Sequence, residues 1–147
     1  MARTVLVPID ASNHAQNALR FAADWANTHD ADMHVMHAAN VPTASELALV
    51  EEYSYDINEL YNASEKLGQD LVKAGIAKAR ELGVNSVTGS VSAGDPAEAI
   101  VDKATELPAE LIVMGTRGMS DWKNLLLGSV SHKVLQLAPC TTVIVRE

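Results

Sequence analysis

The chain is poor in the residues that several large function classes require. It carries one cysteine, Cys140, among 147 residues. An intrachain disulfide is therefore excluded, and a reducing compartment fits. No apolar run approaches the ~20 residues of a bilayer-spanning helix. No secretory leader is expected ahead of Met1-Ala2-Arg3-Thr4-Val5, which runs straight into a strand. Basic residues are outnumbered 11 to 19, a net charge of −8, which disfavours non-specific nucleic-acid binding and anionic membrane surfaces. The histidines His14, His29, His34, His37 and His132 show no metal-ligand spacing. No nucleophile stands beside a base, and Cys140, behind Pro139, reads as a small buried thiol. The expectation is a cytoplasmic protein with no catalytic residue, no nucleic-acid partner and no membrane insertion.

What is present is an alternation of short apolar runs and helical patterns. Val5-Leu6-Val7, Met33 to Met36, Leu111 to Met114 and Val143 to Val145 are continuous apolar stretches. Such stretches read as strands covered on both faces, hence as a parallel sheet. Ser86 to Val91 alternates Val87, Gly89 and Val91, and predicts a weaker strand nearer an edge. Ala15, Ala18, Leu19, Ala22 and Ala26 share one face of a first helix, with Ser12 as its N-cap. Leu60, Ser64, Leu67, Leu71, Ala74, Lys78 and Leu82 form the stripe of a second, with Gly83 just past its end. Asp95-Pro96-Ala97-Glu98 opens a third, with Asp at the N-cap, Pro at the first position and Glu at the third. The length fits one domain over residues 1–147. The alternation predicts a doubly wound α/β domain, expected as a Rossmann-like five-stranded parallel sheet with helices on both faces and taken in the order 3-2-1-4-5. Asn40 to Asn58, acidic through Glu46, Glu51, Glu52 and Asp56, is long for a simple connection. A short helix over a ligand, a docking segment and a mobile loop all fit it.

The most informative stretch is Gly115-Thr116-Arg117-Gly118, nine residues, then Gly128-Ser129-Val130-Ser131. It follows the apolar run ending at Met114 and leads into a helical pattern through Val134. Glycines at a strand–helix junction let backbone amides approach a ligand and tolerate positive φ. The helix start adds unpaired N–H groups and a positive dipole end, which together suit an anion. The spacing G-x2-G-x9-G-S is neither the P-loop nor the dinucleotide fingerprint. In the expected strand order, Pro8-Ile9-Asp10 closes the first strand and Met114-Gly115 the fourth, side by side where the winding direction reverses. Ligands of such sheets bind there. Asp10 is then either an acceptor for a sugar hydroxyl or a carboxylate resting on a helix dipole. Arg117 and Lys123 either neutralise phosphate charge or stand as ordinary surface cations.

At these residues the chain resembles the nucleotide-binding branch of the universal stress protein family. The resemblance runs from Val5-Leu6-Val7-Pro8-Ile9-Asp10-Ala11-Ser12 through His37-Ala38 and Gly94-Asp95-Pro96. It ends in Ala138-Pro139-Cys140-Thr141-Thr142-Val143-Ile144-Val145. Ala11 stands where a glycine is common and Ala38 where a valine is common, and both replacements are small. The resemblance implies an ATP-binding regulator or sensor of stress response. Its alternatives are a slow ATP hydrolase, or a member that binds AMP or another adenine nucleotide. It places Asp10 at the ribose and backbone groups of Ala38 at the adenine edge. Gly115, Gly118, Gly128, Ser129 and Val130 fall at the phosphates and ribose, with Ser131 one position deeper. Pro8, Met114 and Arg117 complete the expected site. Mg2+ would arrive held mainly by the phosphates. The implied partners are a second copy, paired through the strand Thr141 to Val145, and an unidentified protein.

Overall fold

The computed structural model describes residues 2–10, 12–39, 44–53, 56–116 and 127–146. In chain order the elements are β1 (Thr4–Pro8), α1 (Asn13–His29), β2 (Asp32–Ala39), α2 (Ala44–Glu52), α3 (Ile57–Glu81), β3 (Val87–Ala93), α4 (Pro96–Glu106), β4 (Leu111–Gly115), α5 (Ser129–Leu137) and β5 (Thr141–Val145). The strands form one sheet in the order β3-β2-β1-β4-β5, and every neighbouring pair is parallel. Order, orientation and number agree with the sequence expectation. β2 is longer than its apolar core, running on to Ala39 because β3 pairs with it along its whole length from Met33 to Ala39.

β1 and β4 are central, which explains their unbroken apolar sequence. Val5, Leu6, Val7, Ile112 and Val113 are each 0% exposed, and a fully buried Val or Leu stabilises by about 1.5–3 kcal/mol. Val5, Val7 and Val113 face α1 and α3, packing with Ala18, Ala22, Ala26 and Ala79. Leu6, Met36 and Ile112 face the other way, onto Ala97, Ile100 and Ala104 of α4 and Val134 of α5.

Helix ends are set by local chemistry. Ser12 Oγ accepts the Ala15 amide at 3.2 Å, Asp56 Oδ1 the Asn58 amide at 2.9 Å and Asp95 Oδ2 the Glu98 amide at 3.0 Å. Each satisfies a donor that the helix cannot. Gly83, one residue past the Leu82 cap of α3, takes φ +93°, the left-handed conformation in which glycine carries no steric cost.

The stripe expected for the second helix is corrected. Gly68, Val72, Gly75 and Ala79 are the buried residues of α3, whereas Leu60 and Leu67 are exposed. The reason is closeness of approach. A side chain on Gly75 would stand 2.9 Å from Val35 Cγ1 and 3.0 Å from Ile9 Cδ1. One on Gly89 of β3 would meet Val72 Cγ1, and Ile76 Cδ1 at 2.8 Å. Glycines on both surfaces let α3 lie directly on the sheet, a packing that leucines would prevent. The acidic segment before α3 holds the helix α2, which has no buried residue.

Candidate functional site

The register of β1 on β4 pairs Val5 with Leu111 and Leu6 with Ile112. Two residues further, Pro8 ends one strand as Met114 nears the end of the other. β1 leads the chain toward β2 and β3, while β4 and β5 lie on its opposite side. The winding therefore reverses between β1 and β4, and sheets of this kind bind ligands in the crevice beyond the carboxyl ends of such a pair.

On the β1 side, the Ile9 amide donates to the Met36 carbonyl at 2.8 Å, extending the β1–β2 ladder past the strand. Asp10 follows, half-buried. Its Oδ1 accepts the Ser12 amide at 2.8 Å, an Asx turn that fixes the carboxylate. Ser12 in turn caps α1. The two readings of Asp10 are thus compatible: one oxygen shapes the start of α1, and the carboxylate retains further acceptor capacity. Ala38 lies two residues beyond Met36 on β2, opposite Ser92 of β3.

On the β4 side, Met114 is buried and Gly115 pairs with Val145. The Thr116 amide donates to the Val145 carbonyl at 3.2 Å, and the Thr116 carbonyl accepts the Gly128 amide at 2.7 Å. These bonds bring the two ends of the glycine motif together. Arg117 and Gly118, like Trp122 and Lys123, lie outside the described residues. Gly128 is the N-cap of α5, with φ −70° and ψ 163° and no side-chain cap bond. Positive φ is therefore not what Gly128 supplies. It supplies the absence of a side chain at a helix start, where α1, α3 and α4 each carry an oxygen that covers an amide. The first intrahelical bond of α5 runs from the His132 amide to the Gly128 carbonyl at 3.0 Å. The amides of Ser129, Val130 and Ser131 precede it and belong to the set a helix leaves without an internal acceptor.

Ser129 is exposed at this start and Val130 is half-buried. Ser131 is buried at 3% exposure, and its Oγ donates to the Gly115 carbonyl at 2.9 Å. Its hydroxyl thus ties α5 to the end of β4. A second tie joins α5 to the start of α4, where Lys133 Nζ lies 3.1 Å from Asp95 Oδ2 and 3.7 Å from Glu98 Oε1. The Glu98 amide and Lys133 hold the Asp95 carboxyl below its usual range.

One contact at the crevice carries no sequence signal. His37 Nδ1 lies 2.8 Å from the Ile9 carbonyl, 28 residues back along the chain. His34 is buried at 7% exposure, with Nδ1 2.7 Å from Thr88 Oγ1 and Nε2 2.8 Å from Ser90 Oγ. Burial first, then the Lys103 charge, lowers its pKa, with Glu106 opposing. Burial likewise raises that of the half-buried Cys140 thiol. Among the described residues no group of three or more His, Cys, Asp or Glu is placed to hold a metal ion, and no helix is long and apolar enough to cross a membrane.

The arrangement defines a class: a doubly wound parallel α/β protein with a carboxylate after its first strand and a glycine-capped helix start after its fourth. The profile of the universal stress protein family matches residues 1–146. Universal stress protein YxiE of Bacillus subtilis is 38% identical over 149 aligned positions, covering 99% of this chain and 100% of its own length. A universal stress protein of Thermus aquaticus is 35% identical, covering 99% of this chain and 100% of its own. The chain belongs to the universal stress protein family. Among solved structures, UspA from Lactobacillus plantarum superposes with a TM-score of 0.81 at 24% identity, covering 98% of this chain and 97% of its own. A universal stress protein in complex with cAMP gives 0.69 at 23%, covering 99% and 97%. The one from Archaeoglobus fulgidus in complex with dAMP gives 0.67 at 21%, covering 98% and 97%.

Proposed function

We propose that the chain binds ATP with Mg2+ in the β1/β4 crevice and acts in the cytoplasm as a nucleotide-dependent regulator rather than a fast enzyme. The observation that carries this reading is that Asp10 follows β1 and the glycine-capped start of α5 follows β4, the two strands between which the winding reverses. A ribose hydroxyl finds an acceptor on Asp10, and phosphate oxygens find the first-turn amides of α5 and its positive dipole end. Backbone groups around Ala38 reach the adenine edge, and the phosphates bring the metal with them. Pro8, Met114, Gly115 and Ser131 shape the crevice walls; Arg117 and Gly118 complete the motif. Two relatives of this fold hold adenine nucleotides, cAMP and dAMP, which supports the ligand class. The protein pairs with its own copy through β5.

Calorimetry with ATP, ADP, AMP and cAMP at millimolar concentration tests the reading. Binding of ATP with Mg2+ is expected, and no heat with any of the four overturns it. Gly128→Val fills the space above the α5 amides and should abolish binding while the protein stays folded. Asp10→Ala should weaken binding more than it alters any slow ADP release, which is expected well below the median enzyme turnover of about 10 per second.

A further inference from the structure

We propose that His37 is a positioning residue for this site: by donating to the Ile9 carbonyl it fixes the peptide that carries Asp10, and with it the nucleotide affinity. The inference rests on the nucleotide reading above and adds to it a residue behind the crevice wall.

The peptide between Ile9 and Asp10 is planar, so the Ile9 carbonyl and the Asp10 nitrogen and Cα move as one rigid unit. That unit is held on every side. The Ile9 amide, one peptide earlier, is bonded to the Met36 carbonyl at 2.8 Å. The Ile9 carbonyl faces His37 Nδ1 at 2.8 Å. The Asp10 carboxylate is turned by the Ser12 amide, also at 2.8 Å. The first and last of these come from backbone amides that any residue supplies. His37 is the side chain in the set, and its identity decides whether the Ile9 carbonyl has a partner.

The ring is itself clamped by α3. A side chain on Gly68 would stand 3.0 Å from His37 Cδ2 and 3.0 Å from Val91 Cγ1. Seven residues on, Gly75 makes the same close approach to Ile9 and Val35. Two glycines two turns apart therefore press α3 onto both partners of this hydrogen bond. The geometry requires a proton on Nδ1, because a carbonyl accepts only from an N–H. Without the donor, a carbonyl at the end of a central strand must find water or turn, and the plane holding Asp10 turns with it.

The experiment compares wild type, His37→Leu and His37→Asn. Asn offers an amide N–H near the place of Nδ1, while Leu fills the volume without a donor. In calorimetry with ATP and Mg2+, His37→Leu should lose about tenfold in affinity, the scale of one hydrogen bond. His37→Asn should recover most of that loss. A purely structural role predicts that both variants follow their melting temperatures rather than their donors. Equal affinity in wild type and His37→Leu, or no recovery in His37→Asn, overturns the inference and leaves nucleotide binding standing. Wild type that binds none of the four nucleotides overturns the functional reading instead. The claim that His37 orders the Asp10 turn is then decided by nitrogen NMR at pH 8. The Nδ1–H tautomer in wild type and a displaced Ser12 amide signal in His37→Leu are expected. An Nε2–H tautomer, or an unmoved Ser12 signal, overturns it.

Discussion

The two edges of the sheet are finished in opposite ways. At β3 both faces of the edge strand are held by side-chain contacts, although Thr88, Gly89 and Ala93 are exposed. Gly89 and the glycines of α3 bring that helix flat onto one face, and on the other face Thr88 and Ser90 bond the two ring nitrogens of His34. At β5 the last three side chains are apolar and lie on both faces. Val143 and Val145 pack toward the α1 side and Ile144 toward the α5 side, yet all three remain partly exposed. The Thr142 hydroxyl, although buried, has no partner among the described residues. An apolar edge of unpaired backbone groups templates another chain unless guarded. The apolar, partly exposed side chains of β5 fit the proposed pairing of this strand with its own copy across a two-fold axis.

The comparison can be broken most severely at the tight edge. Gly89→Val drives a branched side chain into Val72 and Ile76 and should cost about 3 kcal/mol or more, read as a lower urea midpoint. At the open edge, Ile144→Lys puts like charges into a two-fold contact. It should weaken the dimer by about a hundredfold, some 2.7 kcal/mol, and light scattering should then report monomers. A wild-type protein that is monomeric at tens of micromolar removes the pairing and leaves the nucleotide site untouched.

The hydroxyl pair on β3 gives the next effect. Thr88→Val leaves a ring nitrogen of buried His34 without its partner and should cost about 1–3 kcal/mol. His34 also makes this edge acid-sensitive. Its folded pKa is lowered from 6.5, so the unfolded chain binds the proton more readily. The stabilisation is complete above pH 6.5 and is lost as pH falls through the lower folded value. Relative to wild type, His34→Gln should flatten the decline of stability below pH 6.5; parallel curves would refute it. The smallest effect is expected at the matching position of the open edge. Thr142→Val removes a buried hydroxyl with no partner among the described residues and should be neutral or stabilising by about 1 kcal/mol. Opposite signs for the two Thr→Val changes are the sharpest form of the comparison.

Much of this architecture was legible because the physics behind it is local. Continuous apolar runs mark the buried parallel strands, the Ser12 and Asp95 caps mark helix starts, and the alternation of elements points to the doubly wound α/β class. The α3 stripe was misread because leucine outranks glycine on any scale of hydrophobicity, whereas close packing ranks them by size. Leu60 and Leu67 were left outside so that Gly68 and Gly75 could touch the sheet. In the candidate site, Asp10, Gly115 and Gly128 stand out in the sequence through turn and helix-start chemistry. The partner of His37 was invisible, since nothing in a sequence links a histidine to a carbonyl 28 residues earlier. Ser131 was recognised as a candidate, but its bond to Gly115 depends on how α5 docks.

The pairing of β1 with β4 has a consequence for how the molecule is made. Val5 and Leu111 are register partners, so the central seam of the sheet joins residues more than a hundred positions apart. Contacts of such long range form late and slowly, because the loop they close must first be ordered. During synthesis, Asp10 emerges more than a hundred residues ahead of Gly115 and Gly128. A ligand that bridges them favours the closed seam by mass action. On the nucleotide reading proposed above, ligand supply acts on maturation as well as on function, and a chain truncated before α5 keeps only the β1 side of the proposed site.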